Sequence, residues 1–261
     1  MKKLGLLLAC ILLLGLMGCG PSAEPVDIQS ADDLAGKTIG VQLGTTGDIY
    51  ASDIEGANVQ QFSKALDATL ALKDGKIDAV LIDMEVAQNL VASTDGLKIL
   101  SGEFFEPEDY AVAVKKGNTE LLGLINTVLA EIKADGTYDR LIEGFIETPE
   151  SERDEYISGD QVGTEGTLIM GTNAEFPPFE YMIGNDQIVG FDIEIAKLIA
   201  KKVNMTLEVQ HMEFDALIAA VASGKVDMVL AGMTVLPDRL ENADFSDTYF
   251  TSNQVIIVVD K

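Results

Sequence analysis

Gly75-Lys76-Ile77-Asp78-Ala79-Val80-Leu81 returns 149 residues later as Gly224-Lys225-Val226-Asp227-Met228-Val229-Leu230. Each copy follows an Ala- and Leu-rich stretch of helical spacing, so each glycine reads as a helix stop and each apolar run as a buried strand. Helix, stop and buried strand are the repeating unit of a parallel sheet with crossover helices, and two copies predict two such lobes. Around the first copy, strands are expected at 38–42, 79–82, 97–100 and 111–114, with helices at 63–73, 85–92, 120–133 and 138–146. Around the second, strands are expected at 167–172, 206–209, 228–230 and 254–259, with helices at 193–203 and 215–223. Between them, residues 147–166 are acidic, glycine-containing and poor in apolar side chains, the composition of a solvated linker. The same offset sets Asp83 opposite Gly232 just past the strand ends, the edge at which open α/β sheets bind ligands.

The 261 residues carry 18 Lys and Arg against 43 Asp and Glu, a formal charge of −25. A field of that sign repels polyphosphates and excludes nucleic acid as a partner. With 47% hydrophobic residues the chain can bury a sizeable core, and its two cysteines, Cys10 and Cys19, build no disulfide framework. Lys2 and Lys3 precede an apolar run from residue 4 to 17, which is the pattern of an export signal and is too short for a spanning helix.

Candidate chemistry is sparse and concentrated at the expected strand ends. Arg239 follows Ala231-Gly232-Met233-Thr234, with Pro237 placed for the first turn of a helix. Its planar fork matches a carboxylate, and Thr234 adds a hydroxyl; a surface ion pair with Glu241 or Asp244 is the other reading. Asp83 suits an ammonium group or, equally, a helix N-cap. Gly44-Thr45-Thr46-Gly47 follows the first strand and could hold an anion at a helix start, without the lysine of a P-loop. Phe176 and Phe214 are either core residues or an aromatic sandwich, with Asn173, Glu175 and Gln42 as polar partners. Arg140 and Arg153 read as solvated. His211 is the single histidine and reads as a satisfied loop residue, and no catalytic triad, acid/base pair or metal cluster shows supporting spacing. No enzyme activity, metal or cofactor is expected.

Taken together, these residues carry a resemblance to a known family. Gly171-Thr172-Asn173-Ala174-Glu175-Phe176-Pro177-Pro178-Phe179-Glu180-Tyr181, Val189-Gly190-Phe191-Asp192-Ile193-Glu194, Phe214-Asp215-Ala216-Leu217-Ile218, Ala231 to Arg239, and Asp244-Phe245-Ser246-Asp247 resemble the first lobe of the polar amino-acid-binding proteins of ABC importers. Residues 37–146 resemble the second lobe with the helices that return to the first. The resemblance implies a two-lobed periplasmic-binding-protein-like α/β fold of type II that captures a free amino acid and delivers it to a membrane permease. It implies that Arg239 pairs with the α-carboxylate, supported by Thr234, the Gly232 backbone and Thr45 or Thr46. Asp83 would hold the α-ammonium, while Phe176, Phe214, Asn173 and Gln42 would line the side-chain pocket. Asn173 stands where several members have Asp, so a polar neutral side chain is favoured, with a basic one as the alternative.

Because the family's first lobe here comes last, the resemblance also implies a circularly permuted chain. The expected organisation is a signal at 1–18, a tether at 19–31, the second lobe at 32–109, and a hinge strand with returning helices at 110–146. The linker at 147–166 and the first lobe at 167–261, ending in a hinge strand, complete it. Residues 111–114 and 254–259 are expected to cross between lobes. Leu16-Met17-Gly18-Cys19 resembles the lipoprotein cleavage box, which implies lipidation of Cys19 and a place on the outer face of the bacterial cytoplasmic membrane or in the periplasm. A dehydratase-type enzyme or a ligand sensor could be built on the same fold.

Overall fold

The computed structural model describes residues 28–102, 104–184 and 186–260. The expected signal, Cys19 and most of the tether lie outside the described residues. Of the tether, Ile28 is already buried beside Leu34, so the core reaches further back than residue 32.

Two five-stranded sheets share one topology. The first has the order Asn58–Phe62, Thr38–Gln42, Ala79–Asp83, Gln254–Val259 and Leu97–Ile99. The second has the order Thr206–His211, Thr167–Thr172, Met228–Val229, Ala113–Lys115 and Ala243–Phe245. In each, the first three strands are parallel and the fourth runs antiparallel. The parallel strands are joined through helices, Thr46–Asp53 and Ala65–Lys73 in one lobe, Phe191–Lys202 and Leu217–Ser223 in the other.

The repeated motif has the same structural cause in both lobes. Gly75 (φ 68°) and Gly224 (φ 79°) turn left-handed after their helices, and Lys76 and Lys225 donate back to Ala71 and Ala220, each at 2.9 Å. Asp78 accepts from the Thr38 amide and Asp227 from the Ile169 amide, each at 2.8 Å, which fixes the start of the neighbouring strand. The motif is a strand-registering device, and the ligand edge lies at the opposite end of those strands.

The crossing between lobes differs from expectation. It is made by the short antiparallel pair Glu108–Tyr110 and Phe250–Ser252. The stretches expected to cross lie beyond it: Ala113–Lys115 belongs to the second sheet, and Gln254–Val259 is an inner strand of the first. A fully buried Val255–Ile257 is what a strand covered on both faces requires, so this segment ends neither the 167–252 lobe nor a hinge. The expected linker is also more ordered than its composition suggests. Glu150–Tyr156 forms a 3-10 helix, and Gln161 accepts from the Leu207 amide at 3.0 Å. Arg153 is buried rather than solvated, donating to the Thr148 carbonyl and to Asn89, both at 3.0 Å, and lying over the Tyr181 ring.

Several elements were not foreseen: the strand Asn58–Phe62, the strands Glu175–Phe176, Glu180–Ile183 and Gln187–Val189, and Ala243–Phe245; of the helix Thr46–Asp53 only the start was. They are short or half-exposed, with little apolar periodicity. Among the described residues, no helix is long and apolar enough to cross a membrane.

Candidate functional site

The carboxyl ends of the parallel strands from both lobes meet over the hinge pair. Gln42 ends its strand in one lobe and Asn173 follows the equivalent strand in the other. Gln42 Nε2 donates to Asn173 Oδ1 at 2.9 Å, and the lobes touch directly there. Asn173 also donates to the Met212 carbonyl at 2.8 Å, and Gln42 to Ser63 at 3.1 Å. Gln42 Oε1 is buried with no hydrogen-bond partner among the described residues.

Arg239 reaches across the same crevice. One guanidinium nitrogen donates to its own lobe at the Thr234 carbonyl, 2.8 Å, and the other to the Gly44 carbonyl of the facing lobe, 3.0 Å. The plane lies 5.3 Å from the Phe214 ring centroid, a cation–π arrangement that fixes its direction. Neither Glu241 nor Asp244 takes it; Asp244 instead accepts from the Gly117 amide. Burial lowers the Arg239 pKa to about 10, while Glu108 and Asp83 work in the other direction.

Asp83 precedes the helix Met84–Ser93 but does not cap it with its side chain. Its carboxylate instead accepts from the Tyr110 hydroxyl, which enters from the hinge. Tyr110 bridges to Thr234, so one short path joins the Asp83 wall to the Arg239 wall. Burial raises the Asp83 carboxyl, and hydrogen bonds from Tyr110 and Gln254, with the Arg239 charge, oppose that rise.

The two threonines separate in role. Thr45 caps its helix, accepting from the Asp48 amide and donating to the Gln42 carbonyl, so its hydroxyl is occupied. Thr46 is the one that faces the crevice. The Gly232 amide is likewise occupied, donating to Asp192 at 3.0 Å, which removes it as a ligand donor. Phe176 is buried, stacked on Phe179 and pressed against Gly232, whose place a Cβ would put 2.8 Å from the ring. With Phe214 engaged by Arg239, the two rings do not present a pair of free faces.

Sequence reasoning missed Glu108. It lies on the hinge strand, 3% exposed, and its Oε2 accepts from Thr46 at 2.6 Å and from Thr234 at 3.0 Å. Burial first, then the Asp83 charge, raises its pKa to about 7. The crevice therefore does contain a titratable acid near neutrality, where none was expected. Glu106-Pro107-Glu108 directly before an apolar strand was the available signal. His211 is satisfied, accepting from the Ala174 amide at 3.0 Å. No group of three His, Cys, Asp or Glu among the described residues could hold a metal.

Two like-wound sheets facing each other across a two-stranded hinge define a type II periplasmic-binding-protein-like α/β fold. The chain belongs to the bacterial extracellular solute-binding proteins, family 3, whose sequence pattern matches residues 55–148 and 168–261. The arginine-binding extracellular protein ArtP of Bacillus subtilis (strain 168) is 52% identical over 100 residues, 38% of this chain and 38% of that protein. The L-cystine-binding protein TcyJ of Escherichia coli (strain K12) is 37% identical over 120 residues, 46% of this chain and 45% of that protein. A solved ancestral arginine-binding protein bound to arginine is 51% identical over 33% of this chain and 38% of its own, with a TM-score of 0.32. The chain spans less than half the length of the relatives just described.

Proposed function

We propose that this protein is the extracytoplasmic solute-binding component of an ABC importer, capturing a polar amino acid when its lobes close. The observation that carries the reading is that Arg239 and Asp83 lie on opposite lobes of one crevice, joined through Thr234 and Tyr110. Closure is then a population shift toward the state in which both lobes touch the ligand. Arg239 takes the α-carboxylate with Thr234 and Thr46, and Asp83 takes the α-ammonium. Gln42 and Asn173 meet the side chain, with Phe214 and Phe176 behind them. The unpartnered Gln42 Oε1 favours a side chain ending in N–H donors. Glutamine among neutral amino acids and arginine among basic ones both supply them, and the names of the relatives point to arginine and cystine.

A thermal-shift screen of the twenty amino acids tests this, because a ligand bound only by the folded state raises the melting temperature. The expected result is a shift with a polar amino acid; no shift with any would reject the reading.

The circularly permuted order belongs to the same proposal. It is supported by a family match in two segments that leaves 149–167 between them, and by the family's first-lobe motifs standing in the second segment. Lipid anchoring through Cys19 and a place outside the cytoplasmic membrane, beside a permease, rest on the Leu16-Met17-Gly18-Cys19 box. Mass spectrometry of the exported protein checks the anchor.

One observation favours a second reading. The Glu108 carboxyl, near neutrality inside the crevice, is an acid/base candidate for a dehydratase-type enzyme. Recovery of the bound amino acid unchanged after long incubation would exclude it.

A further inference from the structure

We propose that Glu108 is a proton-linked competitor of the ligand: its carboxylate holds the two hydroxyl protons that an incoming α-carboxylate needs, and releases them by taking up a proton as the ligand enters. The inference rests on the amino-acid reading above. Thr46 belongs to one lobe, Thr234 to the other, and both donate to the same oxygen, Glu108 Oε2, at 2.6 and 3.0 Å.

A hydroxyl has a single proton. While Glu108 is ionised, both protons are committed to it, and Thr46 additionally accepts from Gln254 Nε2 at 3.1 Å. The pair can then offer a ligand carboxylate only lone pairs, which it repels. Once protonated, Glu108 changes from a pure acceptor to a group that also donates, and the two hydroxyls are free to turn toward the ligand. Its second oxygen, Oε1, is buried with no hydrogen-bond partner among the described residues, which disfavours the charged form, while the neighbouring Gln254 amide works in the other direction.

The charged and titratable groups facing Glu108 act in both directions. Asp83, at its strand end, opposes the ionised form; Arg239, from Pro237–Leu240, favours it; and Tyr50, on the helix Thr46–Asp53, has its own pKa raised, by burial first and then by the Glu108 charge. A ligand carboxylate engages Arg239 and adds a second negative charge, so both changes push the proton onto Glu108.

Calorimetry with L-arginine and with L-glutamine, in two buffers of different ionisation enthalpy, counts the protons. At a pH of about 8 the full chain is expected to take up roughly half a proton or more per ligand, and Glu108→Gln none. Between a pH of about 7 and 8.5 the affinity of the unmodified protein falls roughly three- to tenfold per unit, while the variant stays flat. Equal uptake in both proteins, or none in the unmodified one, overturns the inference and leaves amino-acid binding standing. Absence of a melting shift with any of the twenty amino acids overturns both. Should Glu108→Gln not fold, carbon-13 titration of the unmodified protein carries the test: one glutamate carboxyl titrating near neutrality and staying protonated in the complex supports the inference, and ordinary titration of every glutamate overturns it.

Discussion

Gln42 and Asn173 occupy equivalent positions at the carboxyl end of equivalent strands in the two lobes, and they hydrogen-bond to each other across the crevice at 2.9 Å. The equivalence follows from the shared strand-start tethers, Thr38 to Asp78 and Ile169 to Asp227. This contact exists only when the lobes are together. Asn173→Ala is therefore expected to shift the ligand-free population toward open forms and to weaken ligand binding by about 0.5–1.5 kcal/mol, roughly two- to tenfold. Small-angle scattering and calorimetry read the two effects.

Arg239 and Asp83 are expected to dominate affinity. Removing either leaves a desolvated ligand charge unpaired, a cost of about 2–5 kcal/mol, or roughly 30-fold to several-thousand-fold. Arg239→Ala also removes the only cross-lobe bond described for Gly44, so its loss exceeds that of Thr234→Val. Calorimetry on the three variants ranks them, and unchanged affinity in Arg239→Ala would sink the assignment.

Stability should fall as pH rises through the buried carboxyls. Glu108 is raised from 4.5 to about 7, and Asp192 from 3.8 to about 6, burial being the main cause of both. A raised carboxyl favours folding in full below its unfolded pKa, and that contribution is lost as pH climbs through the folded value. The window runs from 3.8 to about 6 for Asp192 and from 4.5 to about 7 for Glu108. Unfolding free energies from urea titrations of the ligand-free protein are expected to drop between pH 5 and 8 by an amount of order 1–3 kcal/mol. A rise over that interval would contradict the burial argument.

The repeated aspartates offer an internal control. Asp78→Ala and Asp227→Ala each strand a strand-start amide in one lobe, at about 1–3 kcal/mol. Hydrogen exchange is expected to speed up around Thr38 in the first variant and around Ile169 in the second. Ligand affinity should change far less than in Arg239→Ala, since neither aspartate reaches the crevice.

Arg153 ties the segment that lies outside the family match to both lobes, through Asn89 on one side and Tyr181 on the other. Arg153→Met is expected to lower the melting temperature by several degrees. Restoring the Asn89 contact with Lys should recover only part of it, because an ammonium cannot reproduce the fork.

The lobes were legible because their cause is local: Gly-Lys-apolar-Asp encodes a helix stop, a strand tether and a buried strand within seven residues, twice. The placing of Asp83 and Arg239 past strand ends was legible because it follows from that repeat, and that of Thr46 because it follows the first strand; their roles toward a ligand belong to the proposal. The inner role of Gln254–Val259 was not legible, since its partners on Ala79–Asp83 lie more than 170 residues away and a uniformly apolar run suits a crossing or a core strand equally. Glu108 was hidden for a related reason. A glutamate among exposed acidic neighbours has no local mark of burial, and its surroundings, Thr46, Thr234 and Asp83, come from three distant segments. Asn58–Phe62 escaped because its side chains are largely exposed at a sheet edge.

The strand Gln254–Val259 sits between Ala79–Asp83 and Leu97–Ile99. One sheet therefore cannot be finished until a segment from far along the chain arrives, whereas its counterpart is assembled entirely from residues 113–245. Closing so long a loop slows its acquisition, so the two halves should mature at different times during refolding. The unfinished sheet would meanwhile expose bare edges at Ile82 and Ile99, an opening for chaperones or for mispairing with another copy.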